Sequence, residues 1–325
     1  MRSSTLIPMI LSMLAMPALS LGQDQVQQGI DSFEAGEYDQ AEAVFKQITE
    51  ADDQQSTAFA YLGRIATRRE QFSEAVDLLK EAIDLDENKV DYYLWLADSY
   101  IGLIQDANMI KQGYYARKVM KAFKEAATLD PSDLLAQSSL AEFYLEAPAF
   151  LGGNIEKAKA QTDIVAGLDS VAALSLYAQI AARENNTDLA ISYYRRFLDS
   201  DPTNPDAHYQ MGMFLQYLER WDEAVEFFDA ALVIDAGHMG SLYQIGRTAV
   251  FAKTNLPRGI AALKQYLELG NYNDNLPTAS NAYWRLGMLY EIGGQTDEAK
   301  DLFISALELD PDNSNAKKAL RALKK

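Results

Sequence analysis

The chain is 325 residues long, carries 47 Asp and Glu against 29 Lys and Arg for a formal charge of −18, and contains no cysteine. Disulfides, thiol catalysis and thiolate metal sites are thereby excluded together. A surface this acidic is repelled by nucleic acid and, taken as a whole, by anionic membranes, so neither is an expected partner.

Residues 1–22 hold one basic residue, Arg2, and then an apolar run from Leu6 to Leu19 without any acid. The run falls short of the roughly 20 residues of a membrane span and reads as a secretory signal peptide, with cleavage expected after Ser20 or Gly22. An uncleaved N-terminal anchor is the alternative. With no cysteine to carry a lipid, the expected product is soluble and periplasmic, without membrane insertion after cleavage, since export without disulfides suits a bacterial periplasm.

From residue 22 onward the chain reads as paired amphipathic helices, a large apolar residue recurring three and four apart in each. The first pair, 22–55, has Gly29, Ala41, Phe45 and Ile48 at its packing places, but Gln25, Gln28 and Ser32 where apolar residues would stand. Such a polar outer face suits a terminal unit. The second pair, 56–89, follows in the same 34-residue phase with Phe59, Leu62, Gly63, Ala75, Leu79 and Ala82. The third begins with Tyr93, Leu96, Ala97 and Tyr100 and ends with Phe123, Ala126 and Pro131, with about ten extra residues between, near 104–115. The fourth has Leu140, Ala141 and Tyr144, then extra residues near 146–154 before Ala158. Both insertions are expected as loops on one rim. The fifth pair, 171–204, offers Leu174, Tyr177, Ala178, Ala190 and Tyr194, and the sixth, 205–238, offers Met211, Gly212, Leu215, Ala224 and Phe228. In the seventh, Gly259 stands where alanine is usual, and the linker 271–277 follows, so looseness is expected there. The eighth, 280–313, places Tyr283, Leu286, Gly287 and Tyr290 on its first helix, Ala299, Phe303 and Ala306 on its second, and Pro311 as terminator. Residues 314–325 read as a capping helix, leucines on one face and lysines on the other.

These spaced residues, clearest in 280–313, resemble the tetratricopeptide repeat, a 34-residue helix-turn-helix unit. The resemblance implies an all-α, right-handed solenoid of about eight units over 23–313, with no segment left for a catalytic domain.

It also implies that places 2, 5, 9, 12 and 13 of each unit face a concave groove. Tyr209, Tyr243 and Trp284 occupy place 5 of the last three units, and Met213, Arg247 and Met288 place 9. Aromatic, Met and Arg side chains are the types enriched where proteins bind partners. The six are therefore candidate ligand-binding residues, expected as a stacked stripe that accepts a peptide or protein, with Arg247 open to a carboxylate. Alternatively they pack between neighbouring first helices, or the groove stacks its aromatics on glycan or another small ligand. In the first half, Arg64 and Arg68 face Asp98, Glu142 and Glu146. The Lys and Asn clamp with which family members grip acidic chaperone tails is absent as a set, since Ile30 and Asp98 stand at its places, and Arg64, Arg68 and Arg69 read as a solvated basic cluster.

Chemistry beyond binding finds little footing. His208 and His238 have no metal-ligand spacing, and no phosphate loop or nucleophile elbow occurs. A carboxylate pair could serve a glycosidase, but in this composition such pairs read as solvated helix faces. No catalysis, cofactor or metal is expected. The loop 147–153, with Phe150 and Leu151, and the insertion carrying Tyr114, Tyr115, Lys111, Arg117 and Lys118 either fold back on the solenoid or face a partner. The tail Lys317, Lys318, Arg321, Lys324 and Lys325 fits a helix C-terminus.

Overall fold

The computed structural model describes residues 18–52, 55–105, 107–270 and 276–323, with side chains from 24 onward. The signal-peptide reading of the N-terminus falls mostly outside these residues, as does most of the linker 271–277. Among the described residues the chain is all α, apart from one 3-10 turn and connecting turns, and forms a helical-repeat solenoid. It divides into two compact units, residues 1–169 and 170–325.

The first unit contains α1 (Ala18–Glu34), α2 (Tyr38–Ala51), α3 (Ser56–Arg68), α4 (Phe72–Leu85), α5 (Val90–Gln105), α6 (Met109–Leu129), α7 (Leu134–Glu146), the 3-10 turn Ala149–Leu151 and α8 (Ile155–Leu168). The second contains α9 (Ala172–Arg183), α10 (Thr187–Ser200), α11 (Pro205–Tyr217), α12 (Trp221–Ile234), α13 (Met239–Ala252), α14 (Leu256–Leu269), α15 (Ala279–Ile292), α16 (Thr296–Leu309) and α17 (Ser314–Ala322). Within each unit every odd-numbered helix up to α15 packs on the helix that follows it, and α17 packs on α16 and α15.

Small residues let the two helices of a pair approach. Ala41, Ala75, Ala158, Ala190, Ala224 and Ala299 are fully buried on the second helices. On the first helix of the seventh pair, a β-carbon on Gly246 would lie 2.3 Å from Leu263 Cγ, so glycine is what the spacing demands. The same holds at Gly259, where looseness was expected. A β-carbon there would come within 2.5 Å of Ala249 Cβ and 3.1 Å of Leu289 Cδ1. Gly259 is a point of tight contact because α14 closes on α13 and α15 together.

The turn inside the six pairs without an insertion has a fixed backbone solution. Gly36, Glu70, Asn185, Glu219, Lys253 and Gly294 all have positive φ, from 55° to 78°, at the same place of six units. Five of the turns that follow a pair are fixed by side chains. Asp86, Asp130, Asp201, Asp235 and Asp310 each accept a hydrogen bond from the backbone N–H two residues on, at 2.8 to 3.1 Å. Where Ser132 adds its hydroxyl, the Asp130 carboxyl is held below its ordinary range.

The two insertions are not both loops. The residues expected as a loop near 104–115 instead lengthen the third pair: α5 runs 16 residues and α6 runs 21. The physical reason is local, since Asn108 caps α6 by accepting from the Lys111 N–H at 3.1 Å and the following residues carry no helix breaker other than Gly113. The second insertion forms the 3-10 turn, which contacts α6.

Candidate functional site

The face made by the first helices of the second unit is built on α11, α13 and α15. At its centre lies a buried amide network. Gln216 Nε2 donates to Thr248 Oγ1 at 2.7 Å, and Thr248 donates to the Gln244 carbonyl at 2.7 Å. Gln216 Oε1 accepts from Arg247 Nη1 at 2.7 Å, and Gln244 Oε1 accepts from the same nitrogen at 3.3 Å. Arg247 is thus held half-buried by two amides rather than by a carboxylate.

A second arginine completes the site. Arg285 Nε donates to the Tyr243 hydroxyl at 2.9 Å, and its guanidinium lies 4.9 Å from the Trp284 ring centroid and 5.3 Å from that of Tyr243. Both guanidiniums lie over Phe251, Arg247 at 5.2 Å and Arg285 at 5.8 Å. Burial first, and then the charge of Arg285, push Arg247 below its ordinary value. Among the described residues neither arginine forms an ion pair with a carboxylate, in a chain that carries 47 of them. Two cations converging on one exposed aromatic ring, without a counter-ion, form a site suited to an anionic group.

The six sequence candidates divide. Arg247, Tyr243 and Trp284 are brought together with Arg285. Tyr209 lies against His238 at 5.3 Å between ring centroids and Phe228 at 5.9 Å. Met213 and Met288 are partly buried against the core of this unit. The expected stacked stripe does not form: no ring contact joins Tyr209, Tyr243 and Trp284 among the described residues. Packed helices lie about 8–10 Å apart, so each ring fills the space beside its own repeat, Tyr243 meeting Tyr266 at 5.4 Å. Tyr243 is only 5% exposed, its hydroxyl bonded to Arg285 and its ring covered by Arg285 and Tyr266, so it offers no free stacking face. Gln216 and Phe251 sit at places 12 and 13, which the repeat pattern points inward. Arg285 sits at place 6, and no spacing signal marked it.

The first unit has a different surface. The Arg64 guanidinium is caged by three rings, 4.4 Å from Phe33, 4.4 Å from Trp95 and 5.4 Å from Tyr61. Arg69 instead pairs with Asp39 and Glu42, both at 2.6 Å. The solvated cluster of Arg64, Arg68 and Arg69 is therefore split: one arginine is stacked, another is ion-paired to α2, and Arg68 is exposed. Asp98 keeps an exposed edge, and partial loss of surrounding water, against the opposing pull of Arg64 and Arg68, pushes its carboxyl up to about 6. Partial loss of water, and then the charge of Glu146, also raise Glu142, whose side chain is exposed.

His238 caps α13, its Nδ1 accepting from the Ser241 N–H at 3.2 Å, and its Nε2 lies 3.2 Å from Asp206. His208 Nε2 lies 3.0 Å from the Pro202 carbonyl. Both histidines therefore serve turns. Among the described residues no three His, Cys, Asp or Glu side chains are grouped to hold a metal, and no helix is long and apolar enough to cross a membrane.

Helix pairs of one repeating size, each closed by small residues at the same places, define an all-α helical-repeat protein. The chain belongs to the tetratricopeptide repeat family: its models match residues 26–100, 149–205 and 178–238, and a second model of the same repeat matches 280–313. Proteins of this family act as scaffolds for protein interaction and are typically non-catalytic. The chain is 24% identical over 134 residues to the general transcriptional corepressor ssn6 of Schizosaccharomyces pombe, a match covering 41% of this chain and 12% of that protein. Its fold resembles that in the crystal structure of the APC/C hetero-tetramer Cut9-Hcn1, with a TM-score of 0.54 and 14% identity, covering 95% of this chain and 56% of that one. A tetratricopeptide repeat protein from Parabacteroides merdae gives a TM-score of 0.54 at 12% identity, covering 94% and 100%. The chain thus spans only part of the length of the first two.

Proposed function

We propose that this chain is a non-catalytic scaffold of the cell envelope that binds a peptide or protein partner on the first-helix face of its second unit, through a carboxylate of that partner. The observation that carries the reading is the Arg247 and Arg285 pair over Phe251. Two neighbouring cations raise each other's energy, and a partner carboxylate relieves that repulsion while the aromatic rings supply contact area. Export rests on the N-terminal apolar run, and the periplasm as destination on export without disulfides.

The test is selection of ligands from a library of peptides with free C-termini, followed by titration against the parent chain, Arg285→Gln and Tyr209→Ala. The reading expects selected peptides rich in carboxylates, whose affinity falls at least about tenfold with Arg285→Gln or when their carboxylates are amidated. Equal affinity for parent and Arg285→Gln overturns it. Binding of cell-wall glycan fragments that is lost with Tyr209→Ala and kept with Arg285→Gln replaces it with the glycan reading. N-terminal sequencing of the envelope fraction tests export, which requires a chain beginning after residue 20 or 22.

A further inference from the structure

The charge of the chain as a whole disfavours anionic surfaces, but one helix face runs the other way. From residue 107 to 124 there is no acidic residue and there are five basic ones: Lys111, Arg117, Lys118, Lys121 and Lys124. On α6, residues 110, 114, 117, 121 and 124 are spaced four and three apart and so share one face, and all five are exposed. The face is apolar at its start, where Ile110 is 85% exposed and Tyr114 49%, and cationic over the rest. Met109 beside it is 74% exposed.

The second insertion adds to the same end of the helix. The 3-10 turn packs on α6: a β-carbon on Gly113 would come within 3.6 Å of Leu151 Cδ2, and one on Gly152 within 3.2 Å of Met120 Sδ. That contact turns Leu151 inward and leaves Phe150 73% exposed. Among the described residues none of the five cations forms an ion pair, and only Lys118 has a ring contact, 5.5 Å from Tyr114.

We propose that this rim, formed by the start of α6 and the turn beside it, docks on the surface of an anionic lipid bilayer, with Met109, Ile110 and Phe150 entering the headgroup layer and the cations of α6 lying over lipid phosphates. The chemistry favours lipid over protein. The three apolar side chains stand out from the surface instead of lining a groove, so a rigid protein partner would need a matching cavity for each. A bilayer interface yields around them, and it attracts basic side chains immediately behind an apolar tip. The remaining acidic surface is repelled by the same membrane, which orients the chain with this rim towards the lipid.

The lack of cysteine makes the test site-specific. An Ile110→Cys variant of the full chain, labelled with an environment-sensitive fluorophore, is titrated with phosphatidylcholine vesicles made with and without phosphatidylglycerol. A Val233→Cys variant, labelled on α12 at a position 87% exposed, reports any effect that is not specific to the rim. The proposal expects a blue shift at position 110 with phosphatidylglycerol only, weakened by salt, and none at position 233. Adding Arg117→Gln, Lys121→Gln and Lys124→Gln should raise the half-saturating lipid concentration by at least about tenfold. Because the N-terminal apolar run is common to every variant, its own affinity for vesicles does not produce that difference. No shift at position 110, an equal shift on phosphatidylcholine alone, or a shift unaffected by the three substitutions overturns the proposal. A matching shift with polyglutamate assigns the rim to an acidic protein, and one that grows with protein concentration alone assigns it to a second copy; either result overturns the lipid reading.

Discussion

Glu70 and Glu219 occupy the left-handed turn between the helices of their repeats, with φ of 59° and 58°, where Gly36 and Gly294 stand in two other repeats. Both side chains are exposed, so Glu70→Gly and Glu219→Gly remove strain without removing packing. A non-glycine residue in this region costs roughly 1–2 kcal/mol, and glycine returns roughly 0.5–1 kcal/mol of that through the greater freedom of its unfolded chain. The net expectation is a gain of about 0.5–1 kcal/mol for each substitution. The two turns share no partner, so the double variant should gain about 1–2 kcal/mol. Urea unfolding followed by circular dichroism reads this as a higher midpoint at unchanged slope. If either substitution lowers the midpoint, the turn is held by side-chain interactions of the glutamate and the backbone argument is wrong. In a repeat array the transition can broaden, so the fit should treat repeats as coupled neighbours rather than as one two-state block.

Gly246→Ala should destabilise by about 1–3 kcal/mol because its new methyl meets the branch point of Leu263, whereas Gly167→Ala, with open space around it, should be neutral or stabilising by up to about 1 kcal/mol. Equal midpoints for the two in urea would refute the close-approach argument. The raised pKa of Asp98 makes its protonated form the one the fold prefers: its contribution to stability is fully present below 3.8, and is lost as pH rises through about 6. Asp98→Asn should therefore be more stable than the parent at pH 7, with the difference disappearing in acid; water at the exposed edge of Asp98 keeps the gain below the full value of the shift. A difference constant with pH, measured by urea unfolding across the range, would contradict this. Gln216→Met removes the amide that holds Arg247 and the bond to Thr248, costing about 1–3 kcal/mol in stability. It should also weaken binding of acidic peptides, with Gln216→Glu weakening it further by placing a carboxylate on Arg247; unchanged affinity in both would show that the network does not position the arginine.

The periodic part of this protein could be read from its sequence because each repeat solves one local problem. Ala75, Ala224 and Ala299 sit where two helix backbones touch, Pro311 ends a helix, and Asp310 ties the turn after it, all within one 34-residue window. Such contacts are between near neighbours in the chain, so spacing alone reports them. The tight packing at Gly259 was not legible, because it depends on Ala249 and on Leu289, thirty residues away.

The site was legible only in part, for the same reason. Place-by-place pattern located Tyr243, Arg247 and Trp284, but a pattern of places says which way a residue points from its own helix and not what arrives from the next. Arg285 joins Arg247 over Phe251 because α13 and α15 pack together, and Arg69 leaves Arg64 because α2 brings Asp39 and Glu42 to it. Likewise the residues near 104–115 carried an insertion in the sequence, while their helical form and the exposed stripe along α6 depended on the Asn108 cap and on the 3-10 turn packed against the helix. Composition and period determined the class of fold; which charges meet, and which are left without a partner, was decided by side chains that different helices bring to one place, which the spacing within a single helix does not report.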